Sequence, residues 1–292
     1  AMATFTRVLV GHDGGKHAED ALSLAKLIAE RTGAELVLAS VIPNPVGGSF
    51  GPALPAEAFT ELAGKARASL EAAAARVGAG VEVEQSSSAA HGLQAIAERI
   101  GADLIVVGSS PSAETGHTRA GRKARQLLSG ADCAIAVAPD GFHDRAGLDR
   151  IGVGIDGSPE SRLATETAVG LAPDGSELQL LAVAAGFADE WGRWGVTYPL
   201  AEMAEATRES ADALLKEMEQ VVPARLSAKK VLLEGTAPIQ LAEASAGLDL
   251  LCLGSRGYGP VRRVLLGSVS SDVMNHAASA VLVVPRTDQT ND

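Results

Sequence analysis

Residues 249–284 read DLLCLGSRGYGPVRRVLLGSVSSDVMNHAASAVLVV, and this stretch decides the fold. Its apolar run Leu250–Leu253 stops at Gly254, which is typical of a short strand buried on both faces. A glycine-containing loop follows, and apolar residues then recur with the helical period over residues 269–277. A second apolar run, Ala280–Val284, closes the unit. The stretch therefore predicts a strand, a glycine loop, a helix and another strand.

The start of the predicted helix has the features of an anion site. We expect Ser268 to be the N-cap and Asp272 to lie in the first turn, where the helix dipole favours an acid. A helix N-terminus presents unpaired backbone N–H groups and partial positive charge, so it binds an anion without a charged side chain. The hydroxyls of Ser268 and Ser270 would add hydrogen-bond donors.

Three glycines precede or open this helix, and their spacing is specific. Gly254, Gly257 and Gly267 would let the backbone approach phosphate oxygens, because they carry no Cβ. The spacing with Ser268 is G-x2-G-x9-G-[ST], which differs from the P-loop and from the dinucleotide-binding fingerprint. In its strand and helix context, this motif resembles that of the universal stress protein family. In the nucleotide-binding branch of that family it binds the phosphates of ATP, and the resemblance implies this role for these four residues.

The same unit occurs twice in the chain. Val10, Asp13 and Val41 match Val153, Asp156 and Val183, and Asp103-Leu-Ile-Val-Val-Gly108 matches Asp249-Leu-Leu-Cys-Leu-Gly254. Strands alternate with helices in each copy, so the fold class is α/β. We predict two tandem doubly wound domains, each a five-stranded parallel sheet with helices on both faces. Their bounds are 1–140 and 150–292, with a linker over 141–149, and the resemblance covers nearly the whole chain.

Ligands of such sheets bind beyond the carboxyl ends of the strands, where the strand order reverses. The resemblance implies that the acid after the first strand and the backbone at the end of the second contact the nucleoside. The expected nucleotide-binding residues are therefore Asp156, Gly157, Val183, Gly254, Arg256, Gly257, Gly267, Ser268, Val269 and Ser270. For Asp156 the alternative is a turn former or helix cap. Arg256, Arg262 and Arg263 would steer a triphosphate into the loop, or are solvated loop charges.

The first copy departs from the motif at two positions. Pro111 replaces Gly257, and a proline can neither donate an N–H to a phosphate nor adopt a positive φ. Arg122 replaces Ser268. Either the basic side chains around Arg122 bind a different anion, or Arg122 fills the vacated site and the copy is structural. We expect the nucleotide site of the first copy to be lost.

The composition limits the class of protein. Hydrophobic residues make up 46% of the 292 residues and aromatic residues 3%, which favours a core of Ala, Val, Leu and Ile. The net charge of −11 argues against a general binder of nucleic acid or membrane surfaces. We predict no transmembrane helix and no signal peptide. Cys133 and Cys252 lie in predicted core strands, so we expect reduced thiols in a cytoplasmic protein.

Most aromatic residues of the second copy lie in one connection, residues 184–201, which contains Trp191 and Trp194. This segment is a lid near the bound base, a protein contact, or packing over a helix edge. His276 is expected to cap or pack its helix, and no His or Cys spacing indicates a metal site or a catalytic group.

The resemblance implies a universal stress protein that binds ATP, with Mg²⁺ on its phosphates, and regulates a partner or stress tolerance. AMP or cyclic AMP fits the same motif. The alternatives are a slow ATP hydrolase, for which the motif supplies no general base, and a protein-binding scaffold with silent sites. The resemblance also implies that the fifth strands pair the two domains into an internal pseudo-dimer. A homodimer of tandem chains and an unidentified protein partner complete the expectation.

Overall fold

A computed structural model of the chain describes residues 5–43, 56–128, 130–145, 147–185, 200–255 and 267–285. The strands are β1 (Arg7–Gly11), β2 (Glu35–Pro43), β3 (Gly80–Ser86), β4 (Leu104–Gly108), β5 (Ala134–Ala138), β6 (Ile151–Ile155), β7 (Glu177–Ala185), β8 (Ser227–Gly235), β9 (Leu250–Gly254) and β10 (Ala280–Val284). The helices are α1 (Lys16–Thr32), α2 (Ala56–Val77), α3 (Ala89–Ile100), α4 (Arg122–Leu128), α5 (Pro159–Leu171), α6 (Leu200–Glu219), α7 (Ala237–Ala244) and α8 (Ser268–His276).

The ten strands of the described residues belong to one sheet, in the order β3-β2-β1-β4-β5-β10-β9-β6-β7-β8. Each half is parallel, and its first strand, β1 or β6, lies between the second and the fourth. The strand order therefore reverses once in each half, beside β1 and beside β6. Two repeated units of five parallel strands are confirmed.

Helices cover both faces of the sheet. Side chains alternate along a buried strand, so Val8 and Val10 of β1 join one core and Leu9 joins the other. Helices α1, α2, α5 and α6 pack on the first face, and α3, α4, α7 and α8 pack on the second. The doubly wound α/β class is confirmed. Among the described helices, none combines the length and the apolar character needed to cross a membrane.

The two halves meet through their fifth strands. β5 and β10 pair antiparallel, with Ala136 opposite Leu282 and Ile135 opposite Val283. Ala136 and Leu282 are equivalent residues of the two copies, so a pseudo-two-fold axis passes between them. The expected internal pairing of the fifth strands is present in the structure.

An acid before the fourth strand holds the start of the first strand in each half. In the second half, a carboxylate oxygen of Asp249 accepts bonds from the N–H groups of Asp149 and Arg150, at 3.1 and 2.9 Å. Asp103 accepts from the N–H and the hydroxyl of Thr6, at 2.8 and 2.7 Å. The repeated Asp-Leu pattern therefore has a structural cause in both halves.

The segment between the halves is packed rather than extended. A 3₁₀ turn covers Phe142–Asp144, and the Phe142 ring is fully buried in the core of the first face. The carboxylate of Asp20 in α1, itself 0% exposed, accepts bonds from the N–H groups of Gly141 and His143 and contacts the His143 ring at 2.6 Å. A buried acid of the first half thus fixes the beginning of the linker.

Candidate functional site

The crevice of the second half lies at the carboxyl ends of β6, β7 and β9. Asp156 and Gly157 directly follow β6, Val183 is the third residue from the end of β7, and Gly254 ends β9. Since β7 and β9 both pair with β6, these residues share one edge of the sheet where the strand order reverses. Of the remaining predicted residues, Gly267 is the N-cap of α8, and Ser268, Val269 and Ser270 are its first residues.

Asp156 is exposed and shapes the turn into α5. Its Oδ1 accepts bonds from the N–H of Ser158, at 3.0 Å, and from the Ser158 hydroxyl. Ser158 in turn caps α5 by accepting from the N–H of Ser161 at 3.1 Å. Asp13 makes the equivalent bond to the N–H of Gly15, at 3.1 Å. The turn-forming role is therefore present in both copies, and a contact of Asp156 with a ligand would be additional.

Gly157 and Gly254 each have a local reason to be glycine. Gly157 has φ of +78°, and a Cβ there would lie 2.8 Å from Leu214 Cδ2 of α6. A Cβ on Gly254 would lie 2.7 Å from the backbone carbon of Glu160 in α5. On Gly108 of the first half it would lie 2.0 Å from the backbone oxygen of His17 in α1. The first glycine of the motif is thus required by helix packing, even in the copy that lacks the second glycine and the serine of the motif.

The start of α8 differs from the sequence prediction by one residue. The N-cap is Gly267, with extended backbone (φ −65°, ψ 157°), and it makes no side-chain capping bond. The prediction that Ser268 is the N-cap was wrong: it is the first helical residue, and it is exposed. Asp272 accordingly lies beyond the first turn, which contains no acid. Glycine takes the extended conformation of a cap readily, and the helix therefore starts one residue earlier than it would with Ser268 as the cap.

The other two residues at the start of α8 face the sheet. The buried Ser270 hydroxyl donates to the carbonyl oxygen of Gly254 at 3.2 Å, which joins α8 to the end of β9. Val269 packs against the core of the second face. The Ser270 proton is therefore already used within the protein, whereas the exposed Ser268 hydroxyl lies at the helix start.

Several predicted residues lie outside the described part of the chain. They are Arg256, Gly257, Arg262, Arg263 and the tryptophans of residues 184–201. The side chain of Arg122, which was expected either to bind another anion or to fill the first site, is also outside it, although α4 begins at this residue. Their roles remain sequence predictions.

The first half has a cavity at the equivalent place. Its volume is about 440 Å³, and it lies at the carboxyl ends of β1, β2 and β4. Its lining includes Ala39, Val41, Leu93, Val107, His12, His17 and Pro111. Sequence reasoning expected a lost nucleotide site here, and the structure shows that open space remains despite the changed motif. No sequence signal distinguished a filled site from an altered one.

A charged cluster beside this cavity consists of His17, Asp20 and Asp140. A ring nitrogen of the histidine and a carboxylate oxygen of each acid lie within 4.8 Å of one another. This spacing suits a metal ion. However, the Lys16 ammonium lies 2.8 Å from Asp140 Oδ1, and Asp20 accepts bonds from the linker. The hydrogen bond from Lys16 also holds the pKa of Asp140 below its ordinary value. The cluster therefore already has a cation, and it acts as a structural clamp between α1 and the linker.

The remaining reactive side chains have structural roles. Cys133 and Cys252 are free thiols, and burial raises the pKa of each to about 12. Thiols with so high a pKa are poor nucleophiles. Cys252 is a buried residue of β9, as expected, whereas Cys133 lies directly before β5 and is half-buried, so the expectation of a core-strand residue was wrong for Cys133. The His276 ring contacts the backbone oxygen of Asp272 at 2.9 Å in the last turn of α8, as expected for a residue that caps its helix.

Comparison with known proteins agrees with the repeat. The model of the universal stress protein family matches twice, over residues 4–139 and 147–285. No sequence among the curated proteins matches the chain. The structure of a universal stress protein from Archaeoglobus fulgidus DSM 4304 is similar, with a TM-score of 0.68 and 20% identity over 95% of this chain and 97% of that one.

A protein of unknown function from Pseudomonas aeruginosa PAO1 has a TM-score of 0.60 and 19% identity, over 97% of this chain and 93% of that one. At these identities, the two structures establish a shared fold. The assignment to a family rests on the family model, which matches both halves of the chain, and on the repeated sheet. The chain belongs to the universal stress protein family and contains two of the family's domains in tandem.

Proposed function

We propose that this chain is a nucleotide-responsive regulatory or stress-tolerance protein that binds one ATP in the crevice of its second half. The start of α8 carries the proposal. Gly267 caps this nine-residue helix without a side-chain bond, so no side chain of the cap occupies the N–H groups of the first turn. Such a helix start offers donors and partial positive charge to a phosphate, and Mg²⁺ would neutralise the remaining charge.

The first half supports the proposal by contrast. The equivalent helix α4 has only seven residues, and Pro111 stands where the motif has Gly257. Proline supplies no N–H to a phosphate. We therefore propose one nucleotide for each chain, bound in the second half.

Helix α8 provides a route from the nucleotide to the first half. At its C-terminal end, the carbonyl oxygen of Ala277 accepts bonds from the N–H and the hydroxyl of Thr118, at 2.7 and 3.0 Å. The carbonyl oxygen of Met274 accepts from the N–H of Ala120 at 3.0 Å. Both donors belong to the loop between β4 and α4. A phosphate at one end of α8 is thus linked, through the helix, to a loop of the other half.

Two finer properties belong to the same proposal. The free thiols of Cys133 and Cys252 support work in a reducing cytoplasm. The output would be a changed affinity for a protein partner, for which the aromatic segment 184–201 is the sequence candidate. Since β5 and β10 already pair within the chain, a homodimer would have to form through other surfaces.

The direct test combines mass spectrometry of small molecules released from the purified protein with calorimetric titration of ATP and Mg²⁺ into stripped protein. We expect about one ATP for each chain. Gly257→Pro, which copies the first half, should abolish binding and leave the melting temperature nearly unchanged. Ser268→Ala should weaken binding by about 0.5–1.5 kcal/mol, the contribution of one neutral hydrogen bond.

Titrations with AMP and cyclic AMP, and an assay for released phosphate, separate the related possibilities. Tighter binding of AMP or cyclic AMP than of ATP would change the assigned ligand while keeping the site. Unchanged ATP affinity in Gly257→Pro would show that the phosphate loop has been assigned to the wrong residues.

A further inference from the structure

Strand β8 forms one edge of the sheet, and the backbone groups on its outer side have no strand to pair with. β8 pairs with β7 in an unbroken register that starts with Ser227 opposite Glu177. The N–H of Ser227 donates to the carbonyl oxygen of Ser176 at 3.1 Å, so the odd-numbered residues of β8 bond to β7. The N–H and C=O groups of its even-numbered residues therefore point away from the sheet, and no described residue pairs with them. Such an edge is a template for another strand.

The centre of β8 lacks the features that usually protect an edge strand, which are charges, prolines and bulges. It consists of Val231, Leu232 and Leu233, and Leu232 is 37% exposed. The described residues include four exposed large apolar side chains, and three of them lie on β8 or on a helix that contacts it. These are Leu232, Met203 of α6 and Ile239 of α7. Exposed apolar side chains are therefore concentrated around this edge.

The charged residues of β8 indicate which partner fits. Lys230 and Glu234 lie two residues on either side of Leu232, so all three side chains belong to the same face of the sheet. A second copy of β8 can pair antiparallel about a two-fold axis at Leu232. Lys230 of each copy then lies opposite Glu234 of the other, and Val231 lies opposite Leu233. In this register the outward-pointing N–H and C=O groups of the two strands meet one another, as their hydrogen bonds require.

Other registers of the same pairing are less favourable. An axis between two residues would set outward-pointing groups against residues that already bond to β7. An axis at Val231 places Lys230 opposite Leu232, and an axis at Leu233 places Glu234 opposite Leu232. An axis at Lys230 brings two lysines together, and like charges directly opposite each other are destabilising. Among these registers, the axis at Leu232 alone matches opposite charges and apolar side chains at once.

Strand β3, at the other edge of the sheet, does not match a second copy of itself in this way. Glu82 and Glu84 of β3 share one face and both accept bonds from Arg99, at 3.1 Å each. An antiparallel pair of β3 strands centred on Glu82, Val83 or Glu84 would set glutamates opposite glutamates. Pairing of like edges is therefore favoured at β8 and opposed at β3.

We infer that two copies of this chain associate through the outer edge of β8, antiparallel about a two-fold axis at Leu232, so that their sheets become continuous. The cross-strand pairs extend ion pairs that each chain already has. Lys230 contacts Glu219 at 2.5 Å, and Glu234 contacts Arg208 at 2.7 Å. Charges of alternating sign thus cross the interface on one face. The association leaves the β5–β10 pairing intact and does not depend on nucleotide binding.

Sedimentation velocity of the full-length chain over a series of concentrations measures this association. We expect a monomer–dimer equilibrium without larger species, because a two-fold interface is closed. Leu232→Lys sets two lysines opposite each other at the axis and should leave the chain monomeric. Leu62→Lys is the matched control, because Leu62 is an apolar residue of α2 with 44% exposure, and it should leave the dimer unchanged.

Exchange of the two charges tests the register. Lys230→Glu and Glu234→Lys each set like charges opposite one another at two places in the dimer, and each should raise the dissociation constant roughly tenfold. The variant with both substitutions restores the two cross-strand pairs, so its dissociation constant should return toward that of the unaltered chain. The ion pairs within each chain are not restored by the double substitution, so a contact between chains is needed for this rescue.

Cysteine substitution gives a second readout that does not depend on affinity. Opposite residues of a hydrogen-bonded antiparallel pair have Cα atoms about 5.5 Å apart, which lies within the range for a disulfide. Leu232→Cys should therefore oxidise to a covalent dimer. Lys229→Cys, on the same strand, is the control, because its two copies would lie about 20 Å apart and should not form a disulfide.

The inference is overturned if the chain is monomeric at every concentration, if Leu232→Lys leaves the dimer unchanged, or if the double charge variant dissociates more readily than either single variant. Species that grow beyond the dimer would indicate pairing of β8 with β3 of the next copy, and they would also overturn it. Each of these outcomes leaves the proposed ATP site untouched, since nucleotide binding is measured separately by calorimetry.

Discussion

Substituting Gly108 by alanine tests why the motif begins with glycine. If the glycine served only phosphate binding, the change would be harmless in the first half, where Pro111 has already disrupted the motif. The structure predicts the opposite result. A Cβ at residue 108 would lie 2.0 Å from the carbonyl oxygen of His17 and 2.7 Å from its carbonyl carbon. Both are backbone atoms in the first turn of α1, so no side-chain rotation relieves the overlap.

The overlap sets the magnitude. Carbon and oxygen pack at well over 3 Å, so α1 has to move by more than an ångström away from β4. Overpacking of a core costs about 1–3 kcal/mol and occasionally more, and the rigid backbone places Gly108→Ala at about 3 kcal/mol. Gly254→Ala meets the backbone of Glu160 at 2.7 Å and should cost about 2 kcal/mol.

Urea unfolding followed by circular dichroism measures these free energies directly. Gly247→Ala is the matched control, because a Cβ there has no neighbour within 4 Å, and its effect should stay within about 0.5 kcal/mol. At about 2–4 °C per kcal/mol, Gly108→Ala should also lower Tm by about 6–12 °C. Equal stabilities of Gly108→Ala and Gly247→Ala would refute the packing explanation. A Gly254→Ala variant that loses only ATP affinity would restore the phosphate explanation.

Three further outcomes follow from individual contacts. Burial raises the pKa of Asp249, but the hydrogen bonds from Arg150 outweigh burial, and the net pKa is lowered. The stabilisation by the ionised Asp249 is therefore present above pH 3.8 and is lost as pH falls through the folded pKa. Asp249→Asn should lower the free energy of unfolding by about 2–4 kcal/mol at pH 7, measured with urea. The free energy of unfolding should also fall less steeply at acid pH in this variant. The carboxylate of Asp20 raises the pKa of His143 above 6.5. The contribution of this pair to stability is therefore complete below pH 6.5 and disappears as pH rises through the folded pKa. His143→Gln should remove that pH dependence from melting curves; an unchanged profile would contradict the clamp. Ser270→Ala should cost about 1 kcal/mol, and a neutral result would mean that its bond to β9 contributes nothing.

The fold could be predicted from the sequence because the patterns that indicate its strands are local and occur twice. Short apolar runs that end in glycine, such as Leu104–Gly108 and Leu250–Gly254, leave a buried parallel strand as the consistent interpretation. Their recurrence 146 residues apart, together with the match of Val10 to Val153, indicated two domains. The pairing of β5 with β10 came from the family resemblance rather than from spacing, and the structure agrees with it.

The site was harder to predict because its details depend on atoms that are distant in sequence. Glycine spacing does not reveal whether a missing Cβ serves a ligand or a helix, and at Gly254 the helix α5 supplies a sufficient reason. Gly267 and Ser268 are both acceptable N-caps, so only the backbone angles decide between them. The cluster of Asp20 and Asp140 joins residues from opposite ends of the first half, and nothing in their local sequence pairs them.

The antiparallel seam between β5 and β10 has an evolutionary consequence. In a symmetric dimer of identical chains, every substitution appears at both sites, so neither site can change without the other. Here the two partners of the seam are encoded in one chain and are always present in equal number. A difference such as Pro111 in one copy and Gly257 in the other can then alter one crevice and leave the other intact. Covalent linkage thus separates the selection on assembly from the selection on each binding site.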